Sequence, residues 1–157
     1  MARRVLPRPR HFLSAPDHTV TRQADHKLRD AAFAALERSH APYSGFPVGA
    51  ALHARNGAVF QGCNVENASY GLGICAERVA VFSAVITGAG VFDCIAIATE
   101  AEEPSPPCGA CLQVMAEFAP TELVVRSYCR NGAEACWKLG DLLPHPFTAN
   151  LLATTGI

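Results

Sequence analysis

The spacing of hydrophobic positions divides the first half of the chain into one helical and two extended segments. Apolar residues recur at helical intervals over residues 23–40, which predicts an amphipathic helix. Extended segments at 48–55 and 58–64 flank Asn56-Gly57, a dipeptide typical of a two-residue hairpin turn in which both residues take positive φ. We therefore expect an N-terminal helix followed by a β-hairpin.

The second half of the chain alternates between apolar extended segments and helical ones. Strands are predicted at 94–99 and 122–128, helices at 74–87 and 108–118, and a short turn of helix at 139–143. This order predicts parallel crossovers that bring the helix N-termini to one edge of a sheet, where ligands bind in such folds. The polar loop 65–73 leads into the first of these helices, so we expect it to hold a polar substrate.

Residues 1–22 carry several arginines and no sustained periodicity. We expect a mobile N-terminal extension, followed by a single domain over 23–157. Because the segment is rich in arginine and almost free of acids, an organelle-targeting role is the alternative interpretation.

Composition and charge narrow the class of protein. The 157 residues are 50% hydrophobic with a formal net charge of −1, so we expect a compact domain without the basic surface that nucleic-acid polymers require. No apolar run is long enough to span a membrane, and no secretory hydrophobic region follows the first arginines. Seven cysteines, an odd number, favour a reducing compartment. We therefore expect a cytoplasmic protein with a small-molecule substrate and no membrane partner.

Three cysteines and one glutamate carry the candidate chemistry. Cys108 and Cys111 share one face of a first helical turn, and Cys75 lies at the start of the other predicted helix. Helix N-termini favour thiolates, and three thiolates occupy three corners of a tetrahedral zinc site. The fourth corner is left for water, whose pKa zinc lowers to about 7. Glu77 lies two residues after Cys75 and can carry protons without binding the metal, as in zinc nucleobase deaminases.

Two alternatives remain for these residues. The cysteines are also compatible with small buried hydrophobic positions, as free cysteines often are. A second alternative is a structural zinc-binding module in an assembly. Such a zinc normally has four protein ligands, and it has no need of Glu77.

Five sequence blocks resemble the small zinc-dependent cytidine deaminases of pyrimidine salvage, which are homotetrameric hydrolases. The resemblance covers roughly residues 28–150 and implies a three-layer αβα fold, with a mixed sheet of about five strands and zinc at two helix N-termini. The blocks are Ala-Pro-Tyr-Ser-Gly-Phe-Pro-Val-Gly-Ala at 41–50, Gly-Cys-Asn-Val-Glu-Asn-Ala-Ser-Tyr-Gly at 62–71, Ile-Cys-Ala-Glu-Arg at 74–78, Pro-Cys-Gly-Ala-Cys at 107–111 and Leu-Leu-Pro-His-Pro-Phe at 142–147.

The resemblance also implies an activity, which is hydrolytic deamination of cytidine and deoxycytidine by zinc-bound hydroxide. Uridine or deoxyuridine and ammonia would be the products. The implied roles are zinc binding by Cys75, Cys108 and Cys111, proton transfer by Glu77, ribose binding by Asn64 and Glu66, packing on the pyrimidine by Phe46, contact with a neighbouring subunit's pocket by Tyr70 and Phe147, and compensation of the thiolate charge by Arg78.

The sequence departs from this family's pattern at Leu112, where relatives often have arginine, at Gly73, and over 129–138. These departures leave other substrates open, in particular a modified or antibiotic cytosine nucleoside. A deoxycytidylate deaminase is disfavoured because that group resembles a motif that begins with histidine and needs a phosphate pocket. Editing of a polynucleotide is disfavoured by the charge, since such enzymes need a basic, aromatic-lined groove.

Overall fold

A computed structural model describes residues 22–153. All but the last residue of the predicted N-terminal extension, and residues 154–157 of the predicted domain, lie outside this range. In chain order the elements are α1 (Arg22–Leu36), β1 (Val48–Ala54), β2 (Val59–Cys63), a 3₁₀ helix (Tyr70–Leu72), α2 (Ala76–Ile86), β3 (Phe92–Thr99), α3 (Gly109–Phe118), β4 (Val124–Cys129), β5 (Glu134–Lys138), α4 (Leu139–Leu142) and α5 (Ala149–Ala153).

The five strands form one mixed sheet in the order β2-β1-β3-β4-β5. Strands β3 and β4 are parallel and are joined through α3, whereas the other neighbouring pairs are antiparallel. Helix α1 buries its apolar residues against one face of the sheet, and α2 and α3 bury theirs against the other. These layers confirm the predicted three-layer αβα architecture with a mixed sheet of five strands.

Glycines in the hairpin allow the helices to approach the sheet closely. A Cβ on Gly49 would lie 2.0 Å from the carbonyl oxygen of Ala32 in α1, and a Cβ on Gly62 would lie 2.3 Å from that of Ala76 in α2. Any larger residue would therefore displace backbone, and such overpacking costs about 1–3 kcal/mol. The contact at Gly62 holds the first turn of α2, where the candidate site begins.

The structure corrects two predictions about the N-terminal half. Helix α1 ends at Leu36, short of residue 40, because the backbone of His40 pairs instead with Asn64 and Glu66. The hairpin turn exists, but only Gly57 takes positive φ. The turn therefore runs over more residues than predicted. Within it, the backbone amide of Ala58 donates a hydrogen bond to the side-chain oxygen of Asn56.

Strand β5 was not predicted from the hydrophobic pattern. It lies at the edge of the sheet, and its five residues are half-buried or exposed. Its sequence, Glu-Ala-Cys-Trp-Lys, does not alternate between apolar and polar residues. The 3₁₀ helix and α5 were not predicted either, since each spans less than two turns. The remaining strands and helices lie within a few residues of their predicted positions. None of the helices over residues 22–153 is long and apolar enough to cross a membrane.

Candidate active site

The three predicted cysteine ligands meet where α2 and α3 begin. Cys75 is the N-cap of α2, Cys108 is the N-cap of α3, and Cys111 follows in the first turn of α3. The Sγ atoms of Cys75 and Cys108 lie 3.9 Å apart, and those of Cys108 and Cys111 lie 3.5 Å apart. Among the described residues, these three form the group of metal-binding side chains whose ligand atoms all lie within 4.8 Å of one another.

This geometry fits a zinc ion. With Zn–S bonds of about 2.3 Å, sulfur atoms at the corners of a tetrahedron lie about 3.8 Å apart. The two short Sγ–Sγ distances, 3.5 and 3.9 Å, lie on either side of that value. Zinc binds thiolates well, whereas several other abundant biological metals, such as magnesium and calcium, prefer oxygen ligands. The donor set and its spacing therefore suit zinc with three protein ligands and an open fourth position.

Hydrogen bonds and charge stabilise a thiolate at Cys75. A hydrogen bond from the Cys111 thiol, with further contributions from Arg78 and Cys108, lowers the pKa of Cys75 to about 5. The same hydrogen bond, together with burial, raises the pKa of Cys111. Arg78 donates from Nη2 to the Sγ of Cys75 over 3.4 Å, and its buried Nε has no hydrogen-bond partner among the described residues. The guanidinium is thus held beside the cysteines, where it opposes the build-up of negative charge.

Glu77 lies in the first turn of α2 and is only 6% exposed. Burial is the largest cause that raises the pKa of its carboxyl group, and the negative charge of Cys75 raises it further. A carboxyl group with a raised pKa holds a proton at a higher pH than a solvated glutamate does. A raised pKa brings the carboxyl group closer to the working pH than that of a solvated glutamate, which favours both uptake and release of a proton.

A cavity of about 300 Å³ opens onto Cys75, Cys108 and Glu77. Strands β1 and β3 supply its apolar walls, and the segment before β1 supplies Ser44 and Phe46. The sequence did not identify three of the polar lining residues, Ser44, Thr99 and Ser105. The other lining residues are Val48, Asn64, Cys75, Ala76, Glu77, Ile97, Pro106 and Cys108.

Asn64 and Phe46 face this cavity together. The side-chain oxygen of Asn64 accepts a hydrogen bond from the amide of Val48 over 2.8 Å, and its Nδ2 donates to the carbonyl of Phe46 over 2.9 Å. These bonds leave one N–H of the Asn64 amide for a ligand. Phe46 is 43% exposed, so part of this aromatic residue is accessible to a flat apolar group.

Glu66 lines a neighbouring cavity of about 320 Å³, together with Tyr43, Asn67 and Tyr70. Ser44 lines both cavities, so the two adjoin at this residue. Tyr70 is 81% exposed and meets Tyr43 edge to face, with ring centroids 5.7 Å apart. The structure thus brings Glu66 and Tyr70 next to the cavity that Glu77 and two of the cysteines line.

Phe147 is not among the residues that line either cavity of its own chain. Its backbone is fixed by Gln113 of α3, whose side chain donates to the Phe147 carbonyl over 2.7 Å and accepts from its amide over 3.1 Å. Phe147 is 58% exposed. Of the departures from the family pattern, Leu112 lies in α3 and is buried in the hydrophobic core.

Comparison with known proteins places the chain in a family. Residues 22–127 match the cytidine and deoxycytidylate deaminase zinc-binding region. A cytidine deaminase of Halalkalibacterium halodurans is 46% identical over 75% of this chain and 89% of its own length. One from Mycobacterium tuberculosis is 41% identical over 76% of this chain and 86% of its own. The crystal structure of cytidine deaminase from Burkholderia pseudomallei superposes with a TM-score of 0.75 at 51% identity, covering 78% of this chain and 98% of that one. The chain therefore belongs to the zinc-binding cytidine deaminase family.

Proposed function

We propose that the protein catalyses the hydrolytic deamination of cytidine and deoxycytidine to uridine and deoxyuridine, with release of ammonia. The observation that carries this proposal is a buried carboxyl group, Glu77, that lines one cavity together with two of the three clustered cysteines. A structural metal site has no use for a buried carboxyl group with a raised pKa. A deaminase needs such a group, because protons must move from water to the substrate.

The reaction assigns separate roles to the metal ligands and to Glu77. Cys75, Cys108 and Cys111 would hold the zinc ion, which when bound would supply Lewis acidity and lower the pKa of the attacking water. The Glu77 carboxylate takes a proton from the attacking water and gives it to ring N3, which makes C4 electrophilic. As the C4–O bond forms and the C4–N bond breaks, Glu77 delivers the second proton of that water to the leaving amine. Proton transfer of this kind contributes typically 10²–10⁴ in rate.

The lining residues orient a nucleoside for this reaction. The accessible part of Phe46 suits a pyrimidine ring, since an aromatic surface packs well on a flat base. The free N–H of Asn64 and the carboxylate of Glu66 offer a donor and an acceptor, which is the pair that a sugar hydroxyl requires. The positive charge of Arg78 partly neutralises the negative charge of the thiolates. Together these contacts support a preference for nucleosides over the free base.

We further propose a cytoplasmic homotetramer that acts in pyrimidine salvage and shares residues between active sites. The exposed residues Tyr70 and Phe147 support sharing, because each is free to contact a second subunit. Helix α2 also exposes apolar side chains at Phe82, Val85 and Ile86, which self-association would bury. Sedimentation of the purified protein should give a mass about four times that of the chain, in keeping with closed symmetric assembly. A fully active monomer would refute the shared sites.

The activity is tested by incubating zinc-loaded protein with cytidine and following conversion to uridine by absorbance. Deoxycytidine, free cytosine, deoxycytidylate and an N4-modified cytidine complete the panel. We expect turnover of both unmodified nucleosides and little with cytosine, which lacks the sugar contacts. Turnover of the modified nucleoside alone would instead assign the protein to another cytosine compound. No turnover of any compound by protein with bound zinc would favour a structural zinc-binding module.

A further inference from the structure

The side chain of Glu66 is held by the turn that precedes β1. Its Oε2 accepts hydrogen bonds from the backbone amides of Tyr43 over 2.8 Å and of Ser44 over 3.2 Å. Its Oε1 accepts a hydrogen bond from the hydroxyl of Ser44. A carboxylate offers roughly four acceptor positions, so these three donors leave about one for a ligand. The three hydrogen bonds from the turn therefore determine the direction in which Glu66 can accept a hydrogen bond from a sugar.

The Ser44 hydroxyl makes a second hydrogen bond that reaches the other cavity. It accepts from the backbone amide of Phe46 over 3.0 Å while donating to Glu66. Gly45 lies between them with φ +64°, a conformation that brings Phe46 back toward the hydroxyl. One side chain thus links the carboxylate that lines one cavity to the backbone of the aromatic residue that lines the next.

We propose that Ser44 is a positioning residue for the deamination, whose hydroxyl sets both the acceptor direction of Glu66 and the place of the Phe46 ring. The inference rests on the proposed function, because it takes Glu66 to bind the sugar and Phe46 to pack on the base. Ser44 lies next to both contacts without being a proton carrier or a metal ligand. Its loss should therefore weaken nucleoside binding far more than it slows the chemical step.

Replacement of Ser44 by alanine should raise KM for cytidine about tenfold, the effect of losing one hydrogen bond to a charged group. We expect kcat to change by no more than about threefold, because Glu77 and the cysteines are untouched. Threonine keeps the hydroxyl, so Ser44→Thr should restore most of the affinity. Ser39→Ala is the matched control, since Ser39 lies on the same connection outside the lining of both cavities.

A second substrate separates positioning from general damage to the site. The probe 2′,3′-dideoxycytidine lacks the hydroxyls that Glu66 would accept, so Ser44→Ala should raise its KM much less than that of cytidine. An equal rise for both nucleosides would overturn the role of Ser44 at Glu66, and an unchanged KM for cytidine would overturn the proposal as a whole. If wild-type protein turned over neither nucleoside, the proposed function itself would have failed.

Two further readouts do not depend on the size of the kinetic effect. The Ser44 hydrogen bond is the largest cause of the lowered pKa of Glu66, with His40 as a nearby charge and Tyr43 and Tyr70 lining the same cavity. KM should rise as pH falls and Glu66 becomes protonated, and in Ser44→Ala this rise should begin at higher pH.

A crystal structure of Ser44→Ala should show the Glu66 carboxylate turned from its wild-type direction. Unmoved Glu66 and Phe46 would refute the role even in an inactive protein.

Discussion

Glu77→Gln protein should bind zinc as the wild type does and lose nearly all turnover of cytidine. Glutamine has almost the same shape as glutamate, and the cysteines that hold the metal remain in place. It cannot accept a proton from water or return one to ring N3, however. The expected loss is at least the 10²–10⁴ that general acid–base catalysis contributes. Steady-state kinetics and zinc analysis on the same sample measure both quantities.

A glutamate on the neighbouring helix provides the control for this variant. Glu117 lies near the end of α3 and is exposed, so Glu117→Gln removes the same charge without touching the cavity. It should keep wild-type activity and wild-type zinc content. If Glu77→Gln retained substantial turnover, Glu77 could not be the proton carrier. A parallel loss of zinc would mean instead that the carboxylate supports the metal site.

The burial of Glu77 also predicts how this residue affects the stability of the folded protein. A buried carboxyl group whose pKa is raised is less easily ionised in the folded state than in the unfolded chain. Its contribution to the stability of the folded state is therefore fully present below the unfolded pKa and is lost as pH rises through the raised native pKa. Glutamine does not ionise, so the metal-free variant should be more stable than metal-free wild type at neutral pH. Denaturant unfolding of both proteins after chelation provides the comparison.

The cysteine cluster could be predicted from local spacing together with the order of strands and helices. Cys108 and Cys111 are one helical turn apart, so their proximity follows from the helix alone. The approach of Cys75 depends on the crossover order of strands and helices, which the alternating pattern predicted correctly. The cysteines lie at the starts of helices with a periodic hydrophobic pattern, and such segments are the ones whose type the sequence determines best.

Features that depend on distant partners were harder to predict. Ser44 looks like a turn residue in the sequence, and its hydrogen bonds to Glu66 join residues 22 positions apart, next to the backbone pairing of His40 with Asn64 and Glu66. Strand β5 is defined by its pairing with β4, since its own residues carry no alternation. The contacts of Tyr70 and Phe147 with another subunit remain a prediction, because they would require an assembly of several chains.

Removal of one thiol should abolish stable zinc binding, and Cys108→Ala is the most informative choice. Cys108 is exposed and caps α3, so alanine leaves no cavity in the core, unlike a change at fully buried Cys111. Two thiolates remain, which is one fewer than catalytic zinc sites normally use. Wild-type protein should retain about one zinc ion per chain after dialysis, whereas the variant should retain almost none. Activity should fall with the metal, because no other group can lower the pKa of water so far.

Thermal unfolding distinguishes loss of the metal from loss of the fold. A ligand that binds only the folded state stabilises it by about 4 kcal/mol when present at a thousand times its Kd. The wild-type melting temperature should therefore fall on chelation and recover when zinc is added. Cys108→Ala should melt near the chelated wild type and respond to neither treatment, while Cys136→Ala, on β5 outside the cluster, should behave as the wild type does. A Cys108→Ala protein with full zinc content would show that Cys108 is not a ligand, and the metal would then have to be held by Cys75 and Cys111 with a group from elsewhere.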